Sequence, residues 1–272
     1  MKKTALFAII FPALLFTFSS CNHFFYYPNK TTKDVTIENA TISKTFVQNE
    51  KQKKIALTQI TPINKTDSSI TILVLPPNGG NSSIFSTLAR PLVNLGYTIY
   101  LFDYEGFGES EGKANHKNVL KDAQLILDYV VSNQKNDAKL LLWGFSLGGN
   151  LAVKLAMDNS SNIDALIIEG AFTSHQDIAK VHAPNGLKWL AKFIKSPYPS
   201  KELVKNIHIP ILVAHSLNDD VCPYFMGETL YENANQPKYF LQLTGKHCYG
   251  LWQETDKYVD MMELLLNQNG IK

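Results

Sequence analysis

The chain has 272 residues, 45% of them hydrophobic and 11% aromatic, enough to bury one large core. Charged residues make up 18% and the formal net charge is +2. No basic stripe of the kind that tracks a phosphate backbone is present, so nucleic acid is not expected as a partner. The one compact basic run, Lys51-Gln52-Lys53-Lys54, reads as a solvated loop.

In chain order, residues 1–21, MKKTALFAIIFPALLFTFSSC, read as a secretory leader: two lysines, an apolar stretch too short for a membrane span, then small residues ahead of Cys21. Phe18-Ser19-Ser20-Cys21 resembles a bacterial lipobox, with Phe18 where leucine is usual. That resemblance implies a lipid on Cys21 and an exported chain anchored to a bacterial membrane, facing the periplasm or the exterior. Plain secretion and a retained anchor are the alternatives. Residues 22–34 are polar and read as a tether, which leaves 35–272 as the folded domain.

Residues 35–61 alternate apolar and polar side chains, the pattern of an antiparallel hairpin. Beyond them the period changes. Apolar runs at 70–76, 97–103, 139–144, 164–170, 210–216 and 238–244 are separated by helical patterns near 82–95, 116–134, 147–159, 223–235 and 250–267. Near-continuous Val/Ile/Leu strands separated by helices predict an α/β fold, a mostly parallel sheet with helices on both faces. Ligands of such sheets bind beyond the carboxyl ends of the strands.

Ser146 falls at one of those ends, in Gly144-Phe145-Ser146-Leu147-Gly148, between the 139–144 run and a helical pattern. A sharp strand-to-helix turn would push its hydroxyl outward, with glycines where a Cβ would collide. A serine hydroxyl needs a base to take its proton, and the base needs an acid to orient it. His247 follows the last strand run. Asp219 and Asp220 follow the 210–216 run, with Asp219 preferred and Asp220 held as the alternative. His215 precedes both acids and is expected to support their loop. The predicted catalytic set is Ser146, Asp219 and His247.

These residues, the motifs around them and two further motifs resemble the α/β-hydrolase superfamily, in its compact serine-aminopeptidase-like branch, over roughly 55–268. GFSLGG resembles the branch's nucleophile elbow, NDDVCP its acid loop, TGKH its histidine turn, and AFTS at 171–174 is family-like. FDYEGFGESEG at 102–112 resembles its DYRGYGxSEG segment, with Glu105 where arginine is frequent. The resemblance implies an α/β-hydrolase fold with a short cap, about 175–205. It also implies an oxyanion hole from the Asn78 and Leu147 amides. Pro76 and Pro77 stand where the family carries His-Gly, and they either stiffen or spoil that loop.

In the cap, Leu187, Leu190, Ala191 and Ile194 share one helical face, and Lys188, Lys192 and Lys195 another. The apolar face is expected to roof an acyl pocket or to pack on the core. Cys222 and Cys248 flank the acid and the base, and in an exported chain they are expected as a possible disulfide. No histidine spacing suits a metal, and no cofactor is called for. The expected activity is acyl ester or thioester hydrolysis on a small acyl substrate. A peptidase or amidase, an acyl transferase, and a non-catalytic binding lipoprotein are the alternatives.

Overall fold

The computed structural model describes residues 25–63, 69–135 and 137–272. The leader with Cys21 and residues 22–24 of the expected tether lie outside the described residues. The elements run β1 (Tyr27–Pro28), β2 (Ala40–Gln48), β3 (Lys54–Pro62), β4 (Ile70–Leu75), β5 (Gly79–Gly80), α1 (Ser82–Phe85), α2 (Ala89–Asn94), β6 (Thr98–Phe102) and α3 (His116–Asn133). Then come β7 (Lys139–Phe145), α4 (Leu147–Asp158), β8 (Ala165–Glu169), α5 (His175–His182), a 3-10 segment (Asn185–Phe193) and α6 (Ser200–Leu203). The last are β9 (Ile211–Ser216), α7 (Phe225–Asn233), β10 (Lys238–Leu243), α8 (Gly250–Gln253) and α9 (Thr255–Gln268).

Eight strands form one sheet in the order β10-β9-β8-β7-β4-β6-β3-β2. β2 and β3 make the expected hairpin, from Ala40 opposite Pro62 to Gln48 opposite Lys54, and β3 joins β6 antiparallel. Every other pairing in the sheet is parallel. All six residues of β4 are buried, because helices cover both faces. Successive residues of β7 alternate between two apolar clusters: Leu140 and Leu142 face one, Leu141 and Trp143 the other. Each such side chain contributes roughly 1.5–3 kcal/mol on burial, so the sheet is held from both sides.

Two expectations need correction. The stretch 22–34 is not a free tether where it is described. Tyr26 is buried, and its hydroxyl meets His116 Nδ1 at 2.8 Å and Tyr198 at 3.2 Å. β1 pairs with β5, Gly108 N–H donates to Asn29 O, and Asn81 Nδ2 donates to the carbonyls of Asn29 and Thr31. Aromatic burial and backbone pairing turn a polar-looking segment into a strap.

The cap segment 185–193 is 3-10 rather than α, so side chains three apart eclipse. Of the face expected to point inward, only Ala191 is buried. Leu187 stands in solvent.

Candidate active site

Ser146 sits between the last residue of β7 and the first of α4, at φ 51° and ψ −118°, a conformation costly for a residue with a Cβ. Its neighbours dictate that turn. A Cβ on Gly148 would lie 2.1 Å from Leu75 O, and one on Gly144 would lie 2.3 Å from Gly148 O. The two glycines therefore let the elbow close onto the end of β4. The Ser146 amide donates to Glu169 O at 2.8 Å, tying the turn to the end of β8.

Asp219 and His247 are brought together by the ends of β9 and β10. His247 Nδ1 lies 2.6 Å from Asp219 Oδ2, and the amides of Val221 and Cys222 donate to Asp219 Oδ1 at 2.9 and 2.7 Å. Burial pushes the Asp219 carboxyl up, but those bonds outweigh it and hold the group below its usual range. It therefore stays ionised and fixes the imidazole with its Nδ1 proton toward the acid. Asp220 points to solvent and makes none of these contacts. His215 supports the loop as expected: its Nε2 meets Cys222 O at 2.8 Å, and burial keeps the ring neutral.

The imidazole reaches the nucleophile's side of the site. A Cβ on Gly170, at φ 60° just past β8, would lie 3.0 Å from His247 Cε1, so glycine there makes room for the ring. His247 Nε2 is 3.4 Å from Cys248 Sγ, and among the described residues it shares no hydrogen bond with Ser146 Oγ.

The expected disulfide is absent: Cys222 and Cys248 are both buried free thiols. Each has a polar neighbour of its own. Cys248 Sγ points at Glu169 O, 3.6 Å away, and Cys222 lies against the Ser146 side chain. Burial raises both thiols, which keeps them protonated.

The oxyanion loop is braced on two sides. Pro76 O accepts from Tyr104 Oη at 2.9 Å, and Asn78 O accepts from the Tyr27 amide at 2.8 Å, so the strap holds the residue whose N–H was expected to donate. Leu147 is the first residue of α4, where an amide has no helical acceptor behind it. Asp103 receives the Ser82 amide at 2.6 Å and fixes the start of α1 just beyond the loop. Glu105, where the related segments carry arginine, is buried and accepts from Asn118 Nδ2 and Asn49 Nδ2 at 2.8 and 2.9 Å, a structural post away from the site.

Two site features escaped the sequence reading. Glu169 is fully buried at the end of β8. Its Oε1 accepts the Gly250 amide at 2.7 Å, so one residue ties the serine turn to the histidine loop. Desolvation raises its carboxyl to about 7. His175, just past β8, is fully buried among Phe25, His116, Phe172 and Tyr198, with ring centroids 4.6 to 5.1 Å away. A buried acid at the end of a parallel strand was the available signal for Glu169. His175 gave none. Among the described residues no group of three His, Cys, Asp or Glu side chains is arranged to hold a metal ion.

An eight-stranded, mostly parallel sheet with a strained serine turn after β7, its fourth strand from the β10 edge, and with acid and histidine on the loops after β9 and β10, defines an α/β-hydrolase fold. The chain belongs to the serine aminopeptidase S33 family, whose pattern matches residues 68–207. An uncharacterized protein of Mycobacterium tuberculosis is 31% identical over 187 residues, 68% of this chain and 64% of that one. The lysophosphatidylserine lipase ABHD12 of Danio rerio is 32% identical over 167 residues, 56% of this chain and 43% of that one. The match thus spans less than two thirds of either relative. The Pyrococcus furiosus esterase Pf2001 superposes with a TM-score of 0.73 at 14% identity, covering 90% of this chain and 98% of that one.

Proposed function

We propose that the chain is a serine hydrolase that cleaves an acyl ester or thioester through an acyl-enzyme. Ser146 attacks the carbonyl, His247 takes its proton and returns it to the leaving group, and Asp219 holds the tautomer and balances the imidazolium. The Asn78 and Leu147 amides receive the oxyanion, each worth about 3 kcal/mol of barrier. Water then releases the acyl group. The observation that carries this reading is the 2.6 Å Asp219–His247 bond, with its ring against Gly170 beside the strained serine. Proton transfer requires the imidazole to rotate from Cys248 toward Ser146, a tightening common on substrate binding.

The names of the relatives favour an ester: a lysophosphatidylserine lipase and an esterase. The family description, serine aminopeptidase, is the observation that favours a peptide bond as the second reading. The N-terminal pattern around Cys21 supports a lipid-anchored, exported enzyme. The chain beginning at Asn22, assayed on p-nitrophenyl esters from acetyl to palmitoyl, should turn over in a Ser146-dependent way, with a chain-length optimum that measures the acyl pocket. Turnover of aminoacyl amides alone would favour the peptidase reading, and no turnover that Ser146→Ala abolishes would remove the hydrolase.

A further inference from the structure

Twelve large apolar side chains stand exposed among the described residues, and nine of them issue from segments at the carboxyl end of the sheet. The 3-10 segment contributes Leu187, Trp189 and Phe193, at 49%, 51% and 44% exposure. The acid loop and the start of α7 contribute Leu217, Val221 and Phe225. The remaining three are Tyr27 on the strap, Ile84 beyond the oxyanion loop and Tyr249 after the histidine. Single exposed apolar residues are ordinary, but this clustering around one end marks an interaction surface. His182 Nε2 meets Val221 O at 2.7 Å, so the cap and the acid loop make one continuous rim.

Charge says what the rim meets. Residues 175–205 hold six lysines against two carboxylates, whereas the whole chain nets only +2. Asp177 is already paired with Lys201 at 2.9 Å and Glu202 with Lys205 at 2.8 Å. Lys180, Lys188, Lys192 and Lys195 make no ion pair among the described residues. Lys192 lies over the Trp189 and Phe193 rings, 5.7 and 5.0 Å from their centroids, so cation and aromatics share one surface. Lys180 and Lys188 also line a cavity of about 400 Å³ under the cap. Two carboxylates without an ion pair among the described residues, Asp220 beside Val221 and Glu228 one turn from Phe225, stand on this side and leave the four free lysines in excess. Lysines interleaved with Trp, Phe and Leu are the chemistry of a segment lying in the headgroup layer of an anionic bilayer.

The chain's own course agrees. Phe25, the first described residue, packs on His116 and His175 at the same end of the sheet. Cys21, the expected lipid site, lies only four residues before it. Four residues reach at most about 14 Å, so a lipid on Cys21 would be tethered within that distance of Phe25.

We propose that the rim around Ser146, centred on Leu187–Phe193, docks on an anionic phospholipid surface and that the site draws its acyl substrate from that surface. The second half rests on the acyl-ester reading above, and the first half does not.

The test separates them. The chain from Asn22 retains every described residue and both core clusters, and it carries Ser146→Ala so that hydrolysis plays no part. It is sedimented with phosphatidylcholine vesicles with and without phosphatidylglycerol. Binding should depend on phosphatidylglycerol. It should fall about 100-fold in Lys188→Gln/Lys192→Gln/Lys195→Gln and about tenfold in Trp189→Ser. Trp189 emission should shift to the blue on binding. Phe46→Ser, on the hairpin, should bind like the parent, and unchanged melting temperatures would show that the cap variants fold. Absence of phosphatidylglycerol-dependent binding, equal binding by the lysine variant, or a dimer in which Trp189 is already buried would each overturn the docking face. Docking with no esterase activity in the parent serine form would leave the face standing and remove only the acyl-ester reading.

Discussion

The helix after β7 and the cap after β8 leave adjacent strands of one sheet, yet only the first is closed on every side. Of the twelve residues of α4, nine are buried, and its glycines admit backbone where a methyl would collide. In the 185–193 segment only Ala191 is buried, and Trp189 and Phe193 are left in water. The residues of the elbow answer to contacts inside the molecule. The large apolar side chains Leu187, Trp189 and Phe193 of the cap fill no space inside it, which is why their chemistry points outward.

Substitutions on the two sides should therefore behave in opposite ways. On the elbow side the largest effect falls on turnover: Asp219→Asn should lower kcat about 10⁴-fold while the fold is retained with a small loss of stability, read by ester kinetics beside a thermal melt. Gly148→Ala should cost about 3 kcal/mol or more, because its methyl meets the Leu75 and Pro76 carbonyls, and calorimetry would show it.

The histidine pair beneath the strap, His175 buried and His116 half-buried, gives a pH effect. Desolvation holds His175 down to about 3 and His116 to about 4, against an ordinary value of 6.5. Depressed values favour the neutral folded form, so this stability is full above pH 6.5 and is lost as pH falls toward 4. The slope approaches about 1.4 kcal/mol per pH unit for each ring. His175→Leu should flatten the acid limb of the stability curve relative to the parent. On the cap side the effect is smallest: Trp189→Ser and Phe193→Ser should change stability by less than about 0.5 kcal/mol in water. A large loss there would mean the cap packs inward and the comparison fails.

How much was legible in the sequence follows the same division. The six parallel strands were readable because burial on both faces leaves few polar positions, as in β4, where Thr71 alone is polar. The Ser146, Asp219 and His247 positions were readable because each is pinned to a strand end. The strap was not, since the aromatic run Phe24-Phe25-Tyr26-Tyr27 was read together with the polar residues around it as one tether, and its pairing with Gly79 and Gly80 is a long-range event. The cap's inward face was misjudged because a period of 3.6 was assumed where the backbone winds in threes. The cysteine pairing failed because proximity of two loops does not fix where each thiol points. Glu169 lay in plain view at the end of β8, and only the structure reveals that it joins the serine turn to the histidine loop.

The central claim is that Ser146 is a nucleophile activated by His247. Intact-mass analysis after exposure to a fluorophosphonate tests it most directly. One adduct, mapped to Ser146 and lost in both Ser146→Ala and His247→Ala, is the predicted result. An unlabelled parent, or an adduct that persists without His247, would contradict it.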